Sequence, residues 1–263
     1  ETSMKTQLEV LFTPAEFALM ARRHMHLYGT NEDQFAEVAA TIRNNGARHP
    51  QACHFGKFVT PQDVLHSRMV ADPFHLLDCA MTSEGGAGLV LTSVARARDL
   101  DVQPIYLLGG GTDKQGMAYV AAPVWDKYGQ VGKRAAQQAF SQAGLTPNDV
   151  DVLEIYDPFS FEIIRQLEVF GFCGLGEGGD FVMEGHLRMD GKFPAVTNGG
   201  LMSFSHAGLA QLLQKPISAV QQLRGEYPAE LTVRDAKVAL TSNGGSGALF
   251  TDVLLLGTQR AEL

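Results

Sequence analysis

Cysteine is scarce in this chain: 263 residues include three, Cys53, Cys79 and Cys173, and no two of them form a C-x-x-C pair. An odd number of widely separated cysteines indicates neither a disulfide framework nor a zinc knuckle, and it fits a reducing compartment. Metal binding is therefore not predicted. No stretch approaches the roughly 18 to 20 apolar residues of a membrane span, and the start lacks a signal-peptide pattern. We expect a cytoplasmic protein.

Basic residues are not in excess either, because 21 basic side chains face 29 acidic ones and give a net charge of -8. This balance argues against a nucleic-acid partner and against broad attraction to anionic membranes. The glycine run G-G-G-T at 109–112 matches neither the dinucleotide nor the P-loop motif, so hydride transfer and nucleotide hydrolysis have no support. The 45% hydrophobic content does predict a packed, globular core.

Hydrophobic periodicity and turn residues predict an α/β protein with a helical segment in front of its sheet. Three helices are expected first, at 13–28, at 32–48 and after Thr60-Pro61. The predicted strands lie at 87–92, 104–109, 150–156, 237–241 and 249–257. The helices among them are predicted at 129–144, 160–171 and 207–224. The last should break at Pro216, which lacks a backbone N–H.

Three segments carry residues that suggest chemistry, and each is expected where a short strand meets a loop. They read T-N-G-G-L-M-S-F-S-H-A-G at 197–208, Y-D-P-F at 156–159 and T-S-N-G-G-S-G at 241–247. Together they bring a histidine, a tyrosine with an aspartate, and a glycine-rich turn into one half of the protein. This combination suggests carbon–carbon bond chemistry on a thioester, although none of the three segments contains a cysteine.

His206, Tyr156 and Asp157 are the candidate catalytic residues. A helix N-terminus after His206 would keep its ring neutral and able to donate a hydrogen bond to an oxyanion; alternatively, the ring satisfies local backbone groups. The Tyr156 phenol could bind a carbonyl or exchange a proton, or it could be a partly buried core residue. Asp157 could orient a neighbour, or it could cap the helix that starts near Ser160.

The turn at 241–247 could present backbone N–H groups to a ligand, or it could be an ordinary glycine-rich turn. Its predicted role is substrate binding. The glycine-rich loop at 171–181 contains Cys173, which is expected to be a small buried hydrophobe rather than a nucleophile.

The ordered motifs of the whole chain resemble the thiolase superfamily, specifically its sterol-carrier-protein and lipid-transfer-protein branch. The matching text covers nearly all of the chain. It includes A-R-R-H-M-H-L-Y-G-T at 21–30, S-R-M-V-A-D-P-F-H-L-L-D-C-A at 67–80, A-G-L-T-P-N-D-V-D-V at 143–152, G-F-C-G-L-G-E-G-G-D-F at 171–181, and the N-G-G to S-H-A-G run at 198–208.

The resemblance implies a layered αβαβα fold of two similar α/β halves. Residues 1–86 would be the helical loop region and the end of the N-terminal half; residues 87–263 would be the last strand of that half and the C-terminal domain. It also implies an acyl-CoA substrate, no tightly bound cofactor, coenzyme A as substrate or product, and a homodimer or dimer of dimers. A small zinc-ribbon and OB-fold partner is implied as well. The family's nucleophilic cysteine lies ahead of the matching segments.

By the resemblance, His206 matches the histidine of the family's G-H-P motif, which helps to form the thioester oxyanion hole. Tyr156 begins the match to the N-E-A-F or H-D-C-F motif, whose acid/base cysteine is replaced here by Pro158. The other family position for that cysteine reads T-S-N-G at 241–244. Steroid side-chain aldolases carry Y-D-H-F at this strand end and use tyrosines; their second tyrosine falls near Phe204.

The sequence therefore predicts an acyl-CoA acyltransferase of the thiolase superfamily that makes or breaks a carbon–carbon bond beside the thioester, in lipid, steroid or aromatic acyl-CoA degradation. Two alternatives stay open: a retro-aldolase acting on a β-hydroxyacyl-CoA, and a non-catalytic thiolase-like subunit. The predicted substrate-binding residues are Phe204, Ser242, Asn243, Gly244 and Gly245.

Overall fold

The computed structural model describes residues 13–115, 125–245 and 249–259. Helices and a mixed four-stranded sheet make an α/β fold, as the sequence predicts. The helices are α1 (Thr13–Tyr28), α2 (Glu32–Arg48), α3 (Pro61–His66), α4 (Val94–Ala97), α5 (Trp125–Tyr128), α6 (Lys133–Ala143), α7 (Ser160–Phe170), α8 (Gly178–Met183) and α9 (Gln211–Leu223). The strands are β1 (Met69–Ala71), β2 (Phe74–His75), β3 (Tyr106–Lys114), β4 (Val152–Glu154), β5 (Val238–Gly245) and β6 (Phe250–Gly257).

The helical segment at the start begins its second and third helices with capping boxes. Asn31 accepts a hydrogen bond from the backbone N–H of Gln34, whose side chain accepts one from the N–H of Asn31. Thr60 and Asp63 make the same reciprocal pair ahead of α3. Such pairs satisfy N–H groups that have no partner within the helix. The three helices predicted for this segment are confirmed.

The main sheet has the strand order β3-β6-β5-β4, with β4 and β5 parallel and the other neighbours antiparallel. Side chains alternate between its two faces, so Leu255 packs into the large core beside α6 while Leu256 packs beneath α9. Gly109 and Gly111 let α6 lie close to β3, because an added Cβ would approach the carbonyl oxygens of Ala139 and Ala135 to 2.2 Å. The sheet is thus covered on both faces.

The predicted strand at 87–92 is wrong. These residues form no regular element, and Val90 and Leu91 are 92% and 84% exposed. An apolar run favours a strand only when another strand supplies hydrogen bonds, and within the described residues none pairs with this segment. The other predicted strands are confirmed, with shifted ends.

Two further expectations are corrected where α9 meets the sheet. Pro216 does not break the helix, which continues from Gln211 to Leu223. Proline removes the N–H that would bond the carbonyl of Leu212, and that carbonyl instead accepts the side-chain N–H of Asn243 at 3.0 Å. The segment predicted as a turn at 241–247 is also different, because Thr241 to Gly245 belong to β5. Residues 246–248 lie outside the described residues.

One hydrophobic cluster joins the helical segment to the sheet. It contains Phe17 of α1 and Phe35 of α2 together with Leu153, Leu240 and Leu255 of the sheet. The packing of the later part of the chain therefore depends on the helices that precede it. Among the described residues, no helix is both long and apolar enough to cross a membrane.

Candidate active site

A single turn of π-helix, Gly200–Phe204, carries the chain toward His206 and is held by Asp157. The Asp157 carboxylate accepts hydrogen bonds from the backbone N–H groups of Leu201, at 2.9 and 3.1 Å to its two oxygens, and of Met202 at 3.2 Å. Gly200 has φ +52°, and a Cβ there would approach the carboxylate to 2.3 Å. Glycine is therefore required where the turn meets Asp157.

Asp157 also forms an ion pair with Lys215 of α9, at 2.5 Å between Nζ and Oδ1, and both side chains are fully buried. Asp157 thus joins three pieces: the end of β4, the Gly200–Phe204 turn and α9. It does not cap α7, whose N-cap is Phe159 without a side-chain bond. The sequence alternative of a helix cap at that position is wrong; the carboxylate holds a different turn.

His206 follows the turn and is partly exposed. Its Nδ1 lies 2.7 Å from the carbonyl oxygen of Met81, and its backbone N–H donates to Oγ of Ser83 at 2.9 Å. Because a carbonyl oxygen only accepts, Nδ1 must carry the proton in this bond. A neutral ring therefore presents an unprotonated Nε2, and it can donate through Nε2 only once it is doubly protonated. This geometry contradicts the expectation of a neutral ring that donates to an oxyanion, because the one N–H of the neutral ring is bonded to Met81.

Tyr156 lies just after β4 and is 5% exposed. Its backbone N–H donates to Oγ of Ser242 at 3.0 Å, and its carbonyl oxygen accepts from the side chain of Gln166 at 2.6 Å. The ring lies beside Gly244, where an added Cβ would approach Cδ1 to 3.3 Å. The structure thus brings together Tyr156 and the first part of the predicted substrate-binding segment.

The side chains of that segment also have structural partners. Oγ of Ser242 donates to Gln166, and the backbone N–H of Asn243 donates to Asp252 at 3.1 Å. Burial raises the pKa of the Asp252 carboxyl. Asn243 and Asp252 lie at the edge of an apolar cleft of about 700 Å³ between α9, the sheet and residues 88–91.

Phe204 packs its ring edge-on against His49 at the end of α2, with ring centroids 5.0 Å apart. It borders a smaller cavity of about 300 Å³ beside Ser205. The polar lining of this cavity consists largely of amide side chains, those of Gln51, Asn198, Gln211, Gln214 and Gln221.

Sequence reasoning missed Met81, Ser83 and Lys215. Met81 and Ser83 precede His206 by more than 100 residues, and neither residue type signals a partner for a histidine. Lys215 lies on a helix, where a lysine would ordinarily be assigned to solvent.

Within the described residues, no cluster of histidine, cysteine, aspartate and glutamate could hold a metal ion.

Two of the three cysteines have thiols that do not suit a nucleophile. Cys79 is buried and donates to the carbonyl oxygen of His75 at 3.3 Å, and burial raises the pKa of its thiol to about 12. Burial likewise raises the pKa of Cys173 to about 12, as expected of a structural rather than a nucleophilic thiol. Cys53 is exposed.

Comparison with known proteins identifies the family. The Thiolase C-terminal domain-like family matches residues 124–258. An acetyl-CoA acetyltransferase of Methanothermobacter thermautotrophicus is 37% identical over 89% of this chain and 61% of its own length. The 17-hydroxy-3-oxo-4-pregnene-20-carboxyl-CoA lyase of Mycobacterium tuberculosis is 37% identical over 82% of this chain and 56% of its own length.

The solved structure titled Ltp2-ChsH2(DUF35) aldolase superposes with a TM-score of 0.83 at 30% identity, covering 93% of this chain and 63% of that one. The chain thus spans less than two thirds of the length of these relatives. The family match extends over β4, β5 and β6 of the sheet and over both segments that contain Tyr156 and His206. On these grounds the chain belongs to the thiolase superfamily, in the branch of sterol-carrier-type thiolases and steroid side-chain aldolases.

Proposed function

We propose that this chain forms part of an enzyme that makes or breaks a carbon–carbon bond beside a coenzyme A thioester. The observation that supports it best is the junction at Asp157, which ties the strand end carrying Tyr156 to the turn leading to His206. The junction connects the two segments that carry groups able to move protons. Two relatives, one named an acetyltransferase and the other a lyase, are consistent with this class of reaction.

His206 has a two-step role in this proposal. Its Nδ1–H is held by the carbonyl of Met81, so a neutral ring accepts a proton at Nε2. The imidazolium that results then donates the same Nε2–H to the thioester oxygen on which negative charge develops. Tyr156 donates to, or accepts from, the other reacting oxygen. Asp157 is a positioning residue, since its buried carboxylate is bonded to protein groups.

The retro-aldol branch requires no thiol. The β-hydroxyl of the substrate loses its proton to Nε2 of His206. The bond between Cα and Cβ then breaks, which leaves a carbonyl compound, and its electron pair passes to the thioester part of the substrate as an enolate. Protonation at Cα completes the acyl-CoA product. Thiolysis requires a reactive cysteine, which the family resemblance puts ahead of the matching segments. Cys79 and Cys173 do not fit that role, because burial raises their thiol pKa values to about 12. The two branches therefore differ in whether a thiol takes part.

The predicted substrate-binding residues enter the proposal with different roles. Phe204 borders the amide-lined cavity, and Asn243 borders the apolar cleft. Ser242, Gly244 and Gly245 line the strand beside Tyr156 and would shape the space around its ring. Coenzyme A would be a substrate or product rather than a resident cofactor.

Assembly is part of the same proposal. One related solved structure is titled as an aldolase of Ltp2 with ChsH2(DUF35), which supports a small partner subunit for this chain. The zinc-ribbon and OB-fold character of such a partner, a homodimeric or dimer-of-dimers state, and a cytoplasmic location stay predictions from the family resemblance.

The test offers two substrates to the complete protein in which this chain occurs, with its partner subunits: a β-hydroxyacyl-CoA without free coenzyme A and a β-ketoacyl-CoA with free coenzyme A. We expect turnover of at least one of the two substrates, and cleavage of the β-hydroxyacyl-CoA without coenzyme A would establish the retro-aldol branch. Removing the phenol in Tyr156→Phe should lower kcat by about 100-fold or more. Tyr28→Phe, which alters an exposed tyrosine of α1, should retain normal turnover.

Cleavage of the β-ketoacyl-CoA alone, and only when free coenzyme A is present, would establish the thiolytic branch instead. Binding of acyl-CoA without turnover under either condition would support the non-catalytic subunit. Full activity of Tyr156→Phe would remove Tyr156 from the mechanism.

A further inference from the structure

Arg43 is a buried arginine in the middle of α2, and its guanidinium is directed at backbone carbonyls. Its Nε donates to the carbonyl of Leu77 at 2.8 Å, its Nη2 to Cys79 at 2.9 Å and its Nη1 to Met202 at 2.8 Å. The residue is 5% exposed. Among the described residues it forms no ion pair with a carboxylate, so the three carbonyls are its main partners. Burial lowers the pKa of the guanidinium.

The three carbonyls belong to two separate segments of the site. Leu77 and Cys79 lie in the segment 77–83, called the strip below, which also contains Met81 and Ser83. Met202 lies in the Gly200–Phe204 turn. Arg43 therefore cross-links the strip to the turn. Beyond Arg43, the N–H of Met81 donates to the carbonyl of Leu201 at 3.0 Å, and the N–H of Ser83 donates to the carbonyl of His206 at 3.1 Å.

The same strip orients the imidazole. Met81 accepts the Nδ1–H of His206 at 2.7 Å, only two residues beyond the carbonyl that Arg43 holds at Cys79. Displacement of the strip would move the Met81 carbonyl relative to the turn. The position and tautomer of the His206 ring therefore depend on a contact made by a helix more than 160 residues earlier in the chain.

Close packing of α2 on the turn makes this contact rigid. An added Cβ at Gly46 would lie 2.5 Å from Cβ of Ser203 and 3.2 Å from the backbone of Gly199. Oγ of Ser203 donates in turn to the backbone carbonyl of Arg43 at 3.2 Å. The helix, its arginine and the turn thus form one packed unit.

We propose that Arg43 is a positioning residue of this site: by joining the carbonyls of Leu77, Cys79 and Met202, it holds the Met81 carbonyl where it fixes His206 with the proton on Nδ1. This inference rests on the proposed function only in assigning a catalytic consequence to that orientation. A lysine has a single ammonium group on a flexible stem and does not reproduce the planar guanidinium fork that spans these carbonyls.

The experiment compares Arg43→Lys and Arg43→Met in the complete protein with Arg48→Met as the matched control. Arg48 lies on the same helix but is directed to the surface, where it approaches Glu230 at 4.0 Å. We expect Arg43→Lys to fold and to lower kcat by up to about 100-fold, because small misplacements of a reacting group have effects of this size. The KM for the acyl-CoA should change less than kcat.

A second measurement follows the His206 ring nitrogens by ¹⁵N NMR, which distinguishes a protonated Nδ1 from a protonated Nε2 without turnover. In the parent and in Arg48→Met, the Nδ1–H form should predominate; in Arg43→Lys, it should give way to a mixture. If Arg43→Met does not fold, Arg43→Lys still decides the question. An unchanged His206 spectrum and unchanged kcat in folded Arg43→Lys would overturn the inference.

The two proposals can fail separately. If His206→Gln keeps full turnover while Arg43→Lys alters the ring spectrum, the proposed catalytic role of His206 falls and the positioning role of Arg43 stands. If His206→Gln abolishes turnover while Arg43→Lys leaves the ring spectrum unchanged, the positioning role falls and the catalytic role stands.

Discussion

Asp157 and Lys215 show how a buried charge can serve geometry rather than chemistry. Both side chains are fully buried, and the carboxylate is bonded to the lysine and to two backbone N–H groups. Each charge offsets part of the cost of burying the other, and the backbone N–H groups satisfy further hydrogen-bond acceptor sites of the carboxylate. Asp157, which adjoins the candidate catalytic Tyr156, therefore fixes the course of the backbone in this part of the fold.

Removing the positive charge of Lys215 should show how much the stability of the fold depends on its pairing with Asp157. Lys215→Met leaves Asp157 as an uncompensated buried carboxylate, and we expect a loss of about 3 to 5 kcal/mol in the free energy of unfolding. Urea denaturation followed by circular dichroism measures it. Lys192→Met, at an exposed lysine, should change stability by less than about 0.5 kcal/mol. Equal effects of the two substitutions would contradict the pairing.

At the scale of elements, α9 continues through Pro216 because strand β5 supplies the hydrogen bond that the helix lacks there. Asn243 of β5 donates to the carbonyl of Leu212 that Pro216 leaves without its helical partner. Residue periodicity does predict a helix here. The donor that replaces the missing N–H, however, is a residue 31 positions from Leu212 in the sequence. The predicted break at Pro216 failed for that reason.

A double-mutant cycle tests this compensation. Asn243→Ala should destabilise the protein by about 1 kcal/mol, because it leaves the partly buried carbonyl of Leu212 without its donor. In a Pro216→Ala background the helix regains its own N–H at that position, so the same change at Asn243 should cost less. Thermal or urea unfolding of the four proteins gives the coupling. Strictly additive effects would show that Asn243 does not substitute for the missing bond.

Across the whole molecule, the helical segment and the sheet share one core. Trp125, the single tryptophan, lies at their junction, with ring centroids 4.8 Å from His24 of α1 and 6.1 Å from Phe161 of α7. His24 is itself bonded to Glu168 of α7 at 3.0 Å, and both side chains are fully buried. Helices from distant parts of the chain are thereby joined by polar as well as apolar contacts.

This shared core predicts a single cooperative unfolding transition. Tryptophan fluorescence, which reports on the junction, and far-UV circular dichroism, which reports on all helices, should give the same urea midpoint. Trp125→Phe provides the fluorescence blank. A fluorescence transition at clearly lower urea would mean that the helical segment separates from the sheet before the rest unfolds.

The sequence by itself determined the elements whose signals are local. Caps at Asn31 and Thr60 and the left-handed Gly144 depend on neighbours within a few residues, so α2, α3 and the end of α6 were predictable. The motif order likewise indicated the thiolase superfamily. It also singled out Tyr156 and His206, since residue type and proximity to a strand end or a glycine pair are visible in the sequence.

Only the tertiary structure decided the contacts between distant segments. The run at 87–92 has the composition of a strand, yet it is exposed because no described strand pairs with it. The protonated nitrogen of His206 depends on the carbonyl of Met81, and the place of that carbonyl depends on Arg43. In each of these hydrogen bonds a side chain meets a backbone carbonyl that carries no residue-specific signal, so only the folded chain shows which carbonyl it is.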